Sequence, residues 1–272
     1  MIERNIGSLK ILFFRNLYTY KEIKHFVSTR LGGTSRHPFY SMNLGLHVGD
    51  DRNNVINNRR LLVSNLNIAF ENLTFADQTH SGNVAIISEK QRGSGHSCYS
   101  NSVSNSDAMV TDVKNICITI LVADCVPMLF FDPQRKIIGV AHAGWRGTLR
   151  SIAANTVNTM VRTFSSLPED IVVSIGPSIG PCCYKVGPEV ISRVDDILHK
   201  REGLVAHKSD DGTGYFDLWK ANVDQLLSAG IEKKNIELAR ICTQENTDLF
   251  FSYRHEHGDT GRFGAGIILV PS

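Results

Sequence analysis

Two soft, reactive side chains stand beside apolar runs in the segment ADCVPMLFFDPQRKIIGVAHAGWRG, residues 123–147. Cys125 precedes the first run, and His142 lies at the end of the second. If the two runs form a β-hairpin, the thiol and the imidazole return to one edge and meet. His80, in QTHSGNV, stands at a similar position before a third apolar run. Two histidines and one cysteine suit a zinc ion with an open fourth position, and copper accepts the same ligand types.

The spacing of these three residues matches no short metal-binding motif. It is also compatible with a buried structural cysteine beside two unrelated loop histidines. A third interpretation is nucleophilic, with Cys125 as the thiolate and His142 as its base. The spacing alone does not separate these interpretations.

Other segments carry polar side chains that could contact a ligand. Arg30, in STRLGGTS, precedes a Gly-Gly turn, where a guanidinium could hold phosphate or carboxylate through two parallel bonds. Asn43, in SMNLGLHVGDD, lies in a Gly-rich loop, although turn chemistry alone favours Asn there. The loop IGPSIGPCCYKVG could present backbone N–H groups to an anion. Its adjacent Cys182 and Cys183 are not expected to bridge each other, because such a bond would be strained, so at most one of them should point into a site.

The composition is that of an ordinary globular protein. Of 272 residues, 42% are hydrophobic and 21% are charged, and the net charge is +2, which gives no bias toward nucleic acid. No apolar stretch is long enough to span a membrane, and the first residues lack the pattern of a signal peptide. Six irregularly spaced cysteines indicate free thiols. We expect a cytoplasmic protein without a nucleic-acid or membrane partner.

The hydrophobic pattern predicts more strands than helices, without regular alternation between them. Helical patterns cover residues 51–67, 148–164 and 216–230. This order favours a mixed α+β layered fold in one domain, residues 1–272. The predicted strands are KILFF, NVAII, ICITILV, PMLFF, IIGVAHA, IVVSIG, IELARIC, LFFSY and GAGIILV.

Several motifs are absent from the sequence. A single His-x-His pair, at residues 255–257, does not provide the histidines of a multicopper oxidase. The H-x-E and P-C-x-x-C signature of zinc cytidine deaminases is missing, as are a P-loop and a dinucleotide fingerprint.

The order of the motifs resembles a known family. The chain reads STRLGGTS, SMNLGLHVGDDRNNVINNR, QTHSGNV, SDAMVTD, ADCVPMLFFDP, GVAHAGWRGT, IGPSIGPCCYKVG, CTQ, FFSYR and TGR between residues 26 and 270. This series is similar to the bacterial polyphenol oxidase/laccase-domain family, whose members are mostly described as zinc-dependent purine nucleoside phosphorylases. ADCVP and HAGWRG are its specific motifs.

The resemblance implies a single-domain, four-layer α/β/β/α sandwich with mixed sheets, related in outline to cytotoxic deamidases that use a Cys–His pair. It implies that His80, Cys125 and His142 bind one metal, usually zinc. It also implies catalytic roles for Arg30, Asn43, Cys125 and His142, and substrate contacts from Arg30, Asn43, Arg146, Cys183 and Arg262. The chain departs from the family pattern at Lys185, where relatives commonly carry Glu, and at RHEHGDTGR, where His255 breaks a basic pair.

The implied activity is phosphorolysis of adenosine, inosine, guanosine and methylthioadenosine, together with deamination of adenosine. Purine nucleosides and phosphate would then be the partners, and a monomer is compatible with this chemistry. The alternatives are a copper-dependent polyphenol oxidase, a Cys–His hydrolase or amidase, and a metal-binding protein without catalysis. Turnover of small substrates by metal-loaded protein, and its sensitivity to chelators, separate these alternatives.

Overall fold

The computed structural model describes residues 1–198 and 203–271, in which strands predominate over helices. The strands are β1 (Ile2–Ile6), β2 (Leu9–Phe13), β3 (Ile23–Ser28), β4 (Leu73–Phe75), β5 (Val84–Ile86), β6 (Ala108–Thr111), β7 (Cys117–Val122), β8 (Val126–Asp132), β9 (Ile137–Ala143), β10 (Val172–Ile175), β11 (Lys185–Val186), β12 (Val205–Ala206), β13 (Gly214–Phe216), β14 (Ile236–Leu238) and β15 (Phe263–Leu269). The helices are α1 (Arg15–Tyr18), α2 (Arg52–Asn65), α3 (Trp145–Leu149), α4 (Ile152–Phe164), α5 (Pro188–Ile197) and α6 (Leu218–Ser228).

These strands form two six-stranded sheets and a small three-stranded one. The first large sheet has the order β1-β2-β3-β15-β7-β4, the second β14-β10-β8-β9-β6-β5, and the small sheet β11-β13-β12. Both large sheets are mixed, because β4 pairs with β7, β5 with β6, and β10 with β14 in parallel, whereas their other neighbours are antiparallel. The predicted α+β class with mixed sheets is confirmed.

The alternation of side chains along β7 shows how the layers pack. Cys117 and Leu121 face the cluster that includes Leu62 of α2, whereas Ile118 and Ile120 face the cluster between the two large sheets. A strand buried on both faces reads as a continuous apolar run, which is why CITILV shows no polar alternation. The prediction of Cys117 as a core residue agrees with its complete burial.

Helices cover the outer faces of both large sheets, which completes four layers. Helix α2 lies on the first sheet, and Val157 and Met160 of α4 pack with Val110 and Phe130 of the second sheet. Burying a side chain of this size contributes about 1.5–3 kcal/mol, so each interface adds many such increments. This arrangement agrees with the expected α/β/β/α sandwich.

The predicted helices differ from the observed ones at one point. Helix α2 has Asp51 as its N-cap, which accepts hydrogen bonds from the N–H groups of Asn53 and Asn54. The helix predicted over residues 148–164 is instead two helices, α3 and α4, because Ser151 between them is left-handed with φ 59°. This break turns the chain just after the segment that carries His142.

One predicted strand is wrong. LFFSY, residues 249–253, forms turns in which the N–H groups of Leu249 and Phe250 donate to the carbonyl of Asn246. Phe250 and Phe251 are nevertheless completely buried, so their apolar character reflects burial in a loop. The sequence-based prediction also missed β1, β3, β4, β6, the three short strands β11–β13, and the helices α1 and α5. No helix in the described part of the chain is long and apolar enough to cross a membrane.

His25, on β3, supplies a test of the folded packing by pH. Its Nε2 accepts the Phe14 N–H at 2.8 Å, and burial lowers its pKa from 6.5 to about 4. Between about pH 4 and pH 6.5, the His25 imidazole is therefore protonated in the unfolded chain and neutral in the folded chain. Stability is lost as the pH falls through the interval from 6.5 to 4, by up to about 3 kcal/mol.

We expect His25→Gln to flatten part of this pH dependence, because a glutamine oxygen can accept the same N–H without titrating. Urea unfolding of wild type and variant at pH 7 and pH 4 measures the difference. If both proteins lose the same free energy of unfolding over this interval, His25 is not the titrating group.

Candidate metal centre

His80, Cys125 and His142 converge at the ends of strands in the second sheet. Cys125 immediately precedes β8, and the register pairs Pro127 with His142 on β9. His80 lies in the turn before β5. One ligand atom of each residue lies within 4.8 Å of the others, and Cys125 Sγ is 3.9 Å from His80 Nε2. The predicted hairpin and its meeting with His80 are confirmed.

The backbone of His80 is held in an uncommon conformation. Its φ is 58°, in the left-handed region that non-glycine residues rarely adopt. Its N–H donates to Asp107 Oδ1 at 3.0 Å, and its carbonyl accepts from Arg150 Nη1 at 2.6 Å. These contacts on both sides of the residue fix the direction in which the imidazole leaves the turn.

Asp107 joins two of the three candidate ligands. It is fully buried, and Oδ1 accepts from His142 Nδ1 at 2.8 Å. Its Oδ2 accepts from the N–H of Ser81 at 2.6 Å and from its hydroxyl at 2.7 Å. Burial opposes ionisation, but the contacts with His142 and Ser81 outweigh it and lower the pKa of Asp107 to about 2. A carboxylate thus orients His142 so that Nε2 is free for Cys125 or a metal.

The thiol and the imidazole shift each other's protonation. Burial would raise the pKa of Cys125, but the neighbouring His142 and His80 outweigh it and lower this pKa to about 6. Burial would lower the pKa of His142, but Cys125 and Asp107 raise it to about 9. The thiolate is the form of cysteine that binds metals and acts as a nucleophile.

The three side chains fit one tetrahedral ion. Zinc bonds of about 2.0–2.1 Å to nitrogen and 2.3 Å to sulfur place these two ligand atoms about 3.6 Å apart around a tetrahedral centre. The separation of 3.9 Å between Cys125 Sγ and His80 Nε2 is close to this value. Three ligands leave the fourth position for substrate or water, as in catalytic zinc sites.

Gly144 leaves room for this cluster. A Cβ added to Gly144 would lie 2.9 Å from Cys125 Sγ and 2.8 Å from His80 Cδ2. Its φ of −74° and ψ of 175° are accessible to any residue, so the need for glycine here is steric.

A cavity of about 490 Å³ opens over the three residues. This volume is in the range of sites for small molecules. Its lining combines the candidate ligands with arginines, aromatic rings and apolar side chains: His47, Gln78, His80, Leu121, Val122, Ala123, Asp124, Cys125, His142, Gly144, Trp145, Arg146, Ile179, Tyr184, Leu218, Tyr253, Arg254 and Arg262.

The residues predicted to contact substrate divide into two groups. Arg146 and Arg262 line the cavity, whereas Arg30, Asn43 and Cys183 are outside its lining. The Arg30 guanidinium is engaged with the carbonyls of Tyr40 and Thr247 and with the Glu256 carboxylate, each at 2.9 Å.

Asn43 is fully buried behind the cavity wall. Its Oδ1 accepts the N–H of Arg262 at 2.8 Å, and its Nδ2 donates to Asp50 Oδ2 at 2.9 Å. Asn43 therefore positions the backbone of a cavity arginine. The direct substrate contacts expected of Arg30, Asn43 and Cys183 stay predictions.

Sequence reasoning missed two acidic residues that organise the site. Asp107 stood in the quoted motif SDAMVTD without a role. Asp124, in ADCVP, has φ 84° and accepts from Thr243 Oγ1 at 2.6 Å and from the Arg254 N–H at 2.7 Å. The available signal for Asp124 was its position next to Cys125, whereas Asp107 is 27 positions from His80 and 35 from His142, so spacing did not identify its partners.

Comparison with known proteins agrees with this geometry. A family model described as "multi-copper polyphenol oxidoreductase laccase" matches residues 24–270. The chain belongs to this laccase-like family. Within it, a purine nucleoside phosphorylase YlmD from Geobacillus stearothermophilus is 39% identical over 241 residues, which are 89% of this chain and 88% of the relative.

Two further members extend the comparison. A protein named adenosine deaminase RL5, from an unknown prokaryotic organism, is 33% identical over 245 residues, covering 90% of this chain and 93% of that protein. The crystal structure of YlmD from Geobacillus stearothermophilus superposes with a TM-score of 0.92 at 35% identity, covering 98% of both chains. The relatives of this laccase-like chain thus carry the names of enzymes that act on purine nucleosides.

Gly144→Ala tests the close packing of the centre. We expect the added methyl group to push His80 and Cys125 apart and to lower metal affinity by about 10-fold or more, by analogy with other disturbances of ligand orientation. Titration of metal-free protein with zinc against a chromogenic chelator measures the affinity. Gly139→Ala, on β9 with a nearest contact of 3.3 Å to side chains outside the centre, is the matched control. Equal affinities of the two variants would contradict the steric role.

Asp107→Asn tests the orienting carboxylate. The variant removes the negative charge that faces His142 and gives Ser81 a poorer acceptor, so we expect metal affinity to fall about 10–100-fold. The same zinc titration measures it, and circular dichroism checks the fold. Asp132→Asn, at another buried aspartate outside the site, is the control for loss of a buried charge. Unchanged zinc affinity in the folded Asp107→Asn protein would remove Asp107 from the centre.

Proposed function

We propose that this chain is a purine nucleoside phosphorylase with adenosine deaminase activity, acting at a zinc ion held by His80, Cys125 and His142. The observation that carries the proposal is the convergence of these three side chains beneath a cavity lined by arginines and aromatic rings. The names of two relatives give the two reactions. We propose that a single domain, residues 1–272, contains the whole site.

When bound, zinc supplies a Lewis acid and lowers the pKa of a coordinated water toward about 7. The protein's own contribution is to hold the ligands in place. Asp107 fixes His142 and the turn of His80, and Gly144 leaves space for the side chains of His80 and Cys125. These contacts pre-organise the ligands before substrate enters.

Aromatic side chains give the cavity surfaces for a purine ring. Trp145, Tyr184 and Tyr253 all line it, and planar bases stack on such rings. Burial raises the pKa of Tyr184 well above its usual range, so its hydroxyl stays protonated and can donate. We propose that Tyr184 and Tyr253 orient the base, which leaves the sugar toward the metal ligands.

Arginines give the cavity its affinity for phosphate. Arg262 Nη1 donates to the carbonyls of Thr260 and Gly261 at 2.9 Å, which anchors the guanidinium at the cavity wall. Arg146 is exposed at the open side of the cavity, and its guanidinium carbon lies 4.4 Å from the centre of the Trp145 ring. Two guanidinium groups suit a phosphate dianion, because each can donate two parallel hydrogen bonds.

The other predicted contacts act from behind the wall. Asn43 holds the backbone of Arg262, and Arg30 ties the residue 247–256 loop to the residue 40 loop through Thr247, Glu256 and Tyr40. We propose that Arg30 and Asn43 shape the phosphate subsite indirectly. Arg30 holds the two loops in place, and Asn43 holds the backbone of Arg262.

All of these residues lie in one chain, so we propose that a monomer can form the site. The small net charge of +2 gives no reason for a nucleic-acid partner. We propose that the protein acts in the cytoplasm on purine nucleosides and phosphate.

A Cys–His hydrolase is the second candidate, since one observation favours it. Asp107, His142 and Cys125 form a chain of acid, imidazole and thiol that resembles a catalytic triad. A triad has no use for the second imidazole of His80, which is held against Cys125 by a left-handed turn. A metal centre uses all three residues, so we rank it first.

Copper-dependent oxidation of phenols is the third candidate and corresponds to the family description. Among the described residues, 1–198 and 203–271, only one group of three or more neighbouring metal-ligand side chains contains histidine, so the structure offers one such copper position. A single copper ion is poorly equipped for four-electron reduction of oxygen, whereas nucleoside chemistry needs no redox step. Zinc is therefore the proposed metal, with copper as the alternative.

Product analysis tests the proposed function. Zinc-loaded protein is incubated with inosine or adenosine, with and without phosphate, and bases, ribose 1-phosphate and inosine are separated chromatographically. We expect phosphate-dependent release of hypoxanthine and adenine, and phosphate-independent conversion of adenosine to inosine. Cys125→Ser should lower both activities by at least about 100-fold, because it removes a metal ligand, whereas Cys98→Ser, outside the cavity, should not.

The controls separate the three candidates. Activity that persists in excess chelator would favour the Cys–His hydrolase. Absence of any nucleoside conversion, together with oxidation of phenols by copper-loaded protein, would overturn the phosphorylase and deaminase assignment.

A further inference from the structure

A second group of metal-ligand side chains lies outside the cavity. It consists of Cys182, Cys183, Cys242 and Glu245, whose ligand atoms all lie within 4.8 Å of one another. The expectation that at most one of the two adjacent cysteines points into a site is therefore wrong, because the turn after Gly180 brings both sulfurs to Cys242. None of the four residues lines the cavity over His80, Cys125 and His142. We call this group the thiol cluster.

Two neighbouring segments bring the thiol cluster together. Strands β10 and β14 are parallel, and the chain continues their pairing beyond both strand ends. Ser178 N–H donates to the Ile241 carbonyl, and the Thr243 N–H donates to the Ser178 carbonyl, each at 3.1 Å. This pairing fixes Cys242, which is 4% exposed, beside the loop that follows β10.

A tight turn returns the other two sulfurs to Cys242. The Gly180 carbonyl accepts from the N–H groups of Cys183 and Tyr184 at 3.0 Å, and the Gly180 N–H donates to Cys242 Sγ at 3.3 Å. A Cβ at Gly180 would lie 3.1 Å from Cys182 Sγ and 2.9 Å from a ring atom of Trp219. Glycine at this position therefore allows the sulfurs to approach.

Glu245 supplies the fourth ligand atom from a second turn. The Asn246 N–H donates to the Thr243 carbonyl at 3.3 Å, and the Asn246 side chain donates to the Cys242 carbonyl at 2.8 Å. This turn places the Glu245 carboxylate against the sulfurs, while leaving it exposed to solvent.

The chemistry of the four groups selects a soft cation. Three thiolates and one carboxylate provide four donors of the types that zinc accepts in tetrahedral sites. Without a cation, desolvation raises the pKa of Cys182 and Cys183, and Cys242 and Glu245 raise both further, although the contact with Cys182 partly opposes the rise at Cys183. A bound cation reverses this effect by stabilising the thiolates, and its binding releases their protons.

We propose that Cys182, Cys183, Cys242 and Glu245 form a second zinc site, distinct from the centre at His80, Cys125 and His142. Four protein ligands complete a tetrahedral shell, which is typical of a structural site. The step is a ligand exchange, in which hydrated zinc loses its water ligands and gains three sulfur ligands and one oxygen ligand, while the three thiols release their protons to solvent. No oxidant or reductant is needed.

The position of the site indicates what zinc would stabilise. Both segments of the thiol cluster are tied to Asp124, since its carbonyl accepts from the Ile179 N–H at 2.9 Å and its Oδ1 accepts from Thr243 Oγ1 at 2.6 Å. Tyr184, a cavity residue, follows Cys183 directly. A zinc ion would cross-link these segments and hold this wall of the cavity.

Zinc stoichiometry of the reduced, full-length protein tests the site. Wild type, Cys182→Ser, Glu245→Gln, Cys125→Ser and the double variant Cys125→Ser/Cys182→Ser are loaded with zinc under a thiol-free reductant, desalted and analysed for bound metal. Cys182 and Glu245 are exposed, so their replacement should leave the fold intact, which circular dichroism checks. Cys98→Ser, at a cysteine outside the cluster, is the matched control.

We expect Cys182→Ser to bind about one zinc equivalent less than wild type, and the double variant about one less than Cys125→Ser. The cobalt-loaded Cys125→Ser protein should show sulfur-to-cobalt charge-transfer absorption that is lost in the double variant. Because each comparison changes only the thiol cluster, the result is independent of whether Cys125 holds the catalytic metal.

Two outcomes would overturn the proposal. One is equal zinc content in folded Cys182→Ser and wild type, with no charge-transfer absorption from cobalt-loaded Cys125→Ser. The other is a disulfide within the cluster that persists in the reductant and excludes zinc, shown by intact mass.

Discussion

The site depends on one buried negative charge, the carboxylate of Asp107. Removing a carboxylate from water costs several kcal/mol unless hydrogen bonds and opposite charge replace its hydration. Here His142 Nδ1, the Ser81 N–H and hydroxyl, and the His80 N–H all donate to it. Satisfying this charge simultaneously orients one imidazole and fixes the turn that carries the other.

The four layers make this arrangement rigid. Strands β8 and β9 are buried along their whole length between the other large sheet and the helices, so the ends of the hairpin cannot shift independently. The loops beyond these ends carry the cavity residues, which is the usual division between a packed scaffold and functional loops. Asp124, next to Cys125, is a second buried aspartate that links separate segments. Its carboxylate accepts hydrogen bonds from the Thr243 hydroxyl and the Arg254 N–H.

Much of the fold could be predicted from the sequence because buried strands produce local signals, whereas the spacing of His80, Cys125 and His142 left a metal site, a nucleophile and a structural cysteine open. Long apolar runs marked the buried strands, and the hairpin followed from two such runs around DPQRK. The failure at LFFSY shows the limit, since a buried loop and a buried strand have the same apolar composition. Asp107 and Asp124 were missed because their partners lie far away in sequence, and the engagement of Arg30 with Glu256 spans 226 positions. The grouping of His80 with the hairpin as one metal site followed from the resemblance to a family, because the spacing of the three residues matches no short metal-binding motif.

The family description and the site differ in one physical respect. A multicopper enzyme transfers electrons among several ions, whereas His80, Cys125 and His142 offer one three-ligand position beneath a cavity suited to a small molecule. The same three ligands can serve hydrolytic or phosphorolytic chemistry, since these reactions need a polarising ion and no change of oxidation state. The number and type of ligands therefore favour a reaction without electron transfer over the oxidation that the family description names.

X-ray diffraction from zinc-loaded crystals, recorded on both sides of the zinc absorption edge, tests the central claim most directly. We predict an anomalous peak at bonding distance from His80 Nε2, Cys125 Sγ and His142 Nε2, with the Asp107 carboxylate still bonded to His142 Nδ1. Absence of a peak among these three atoms, with the side chains ordered, would contradict the assignment of this group as a metal centre.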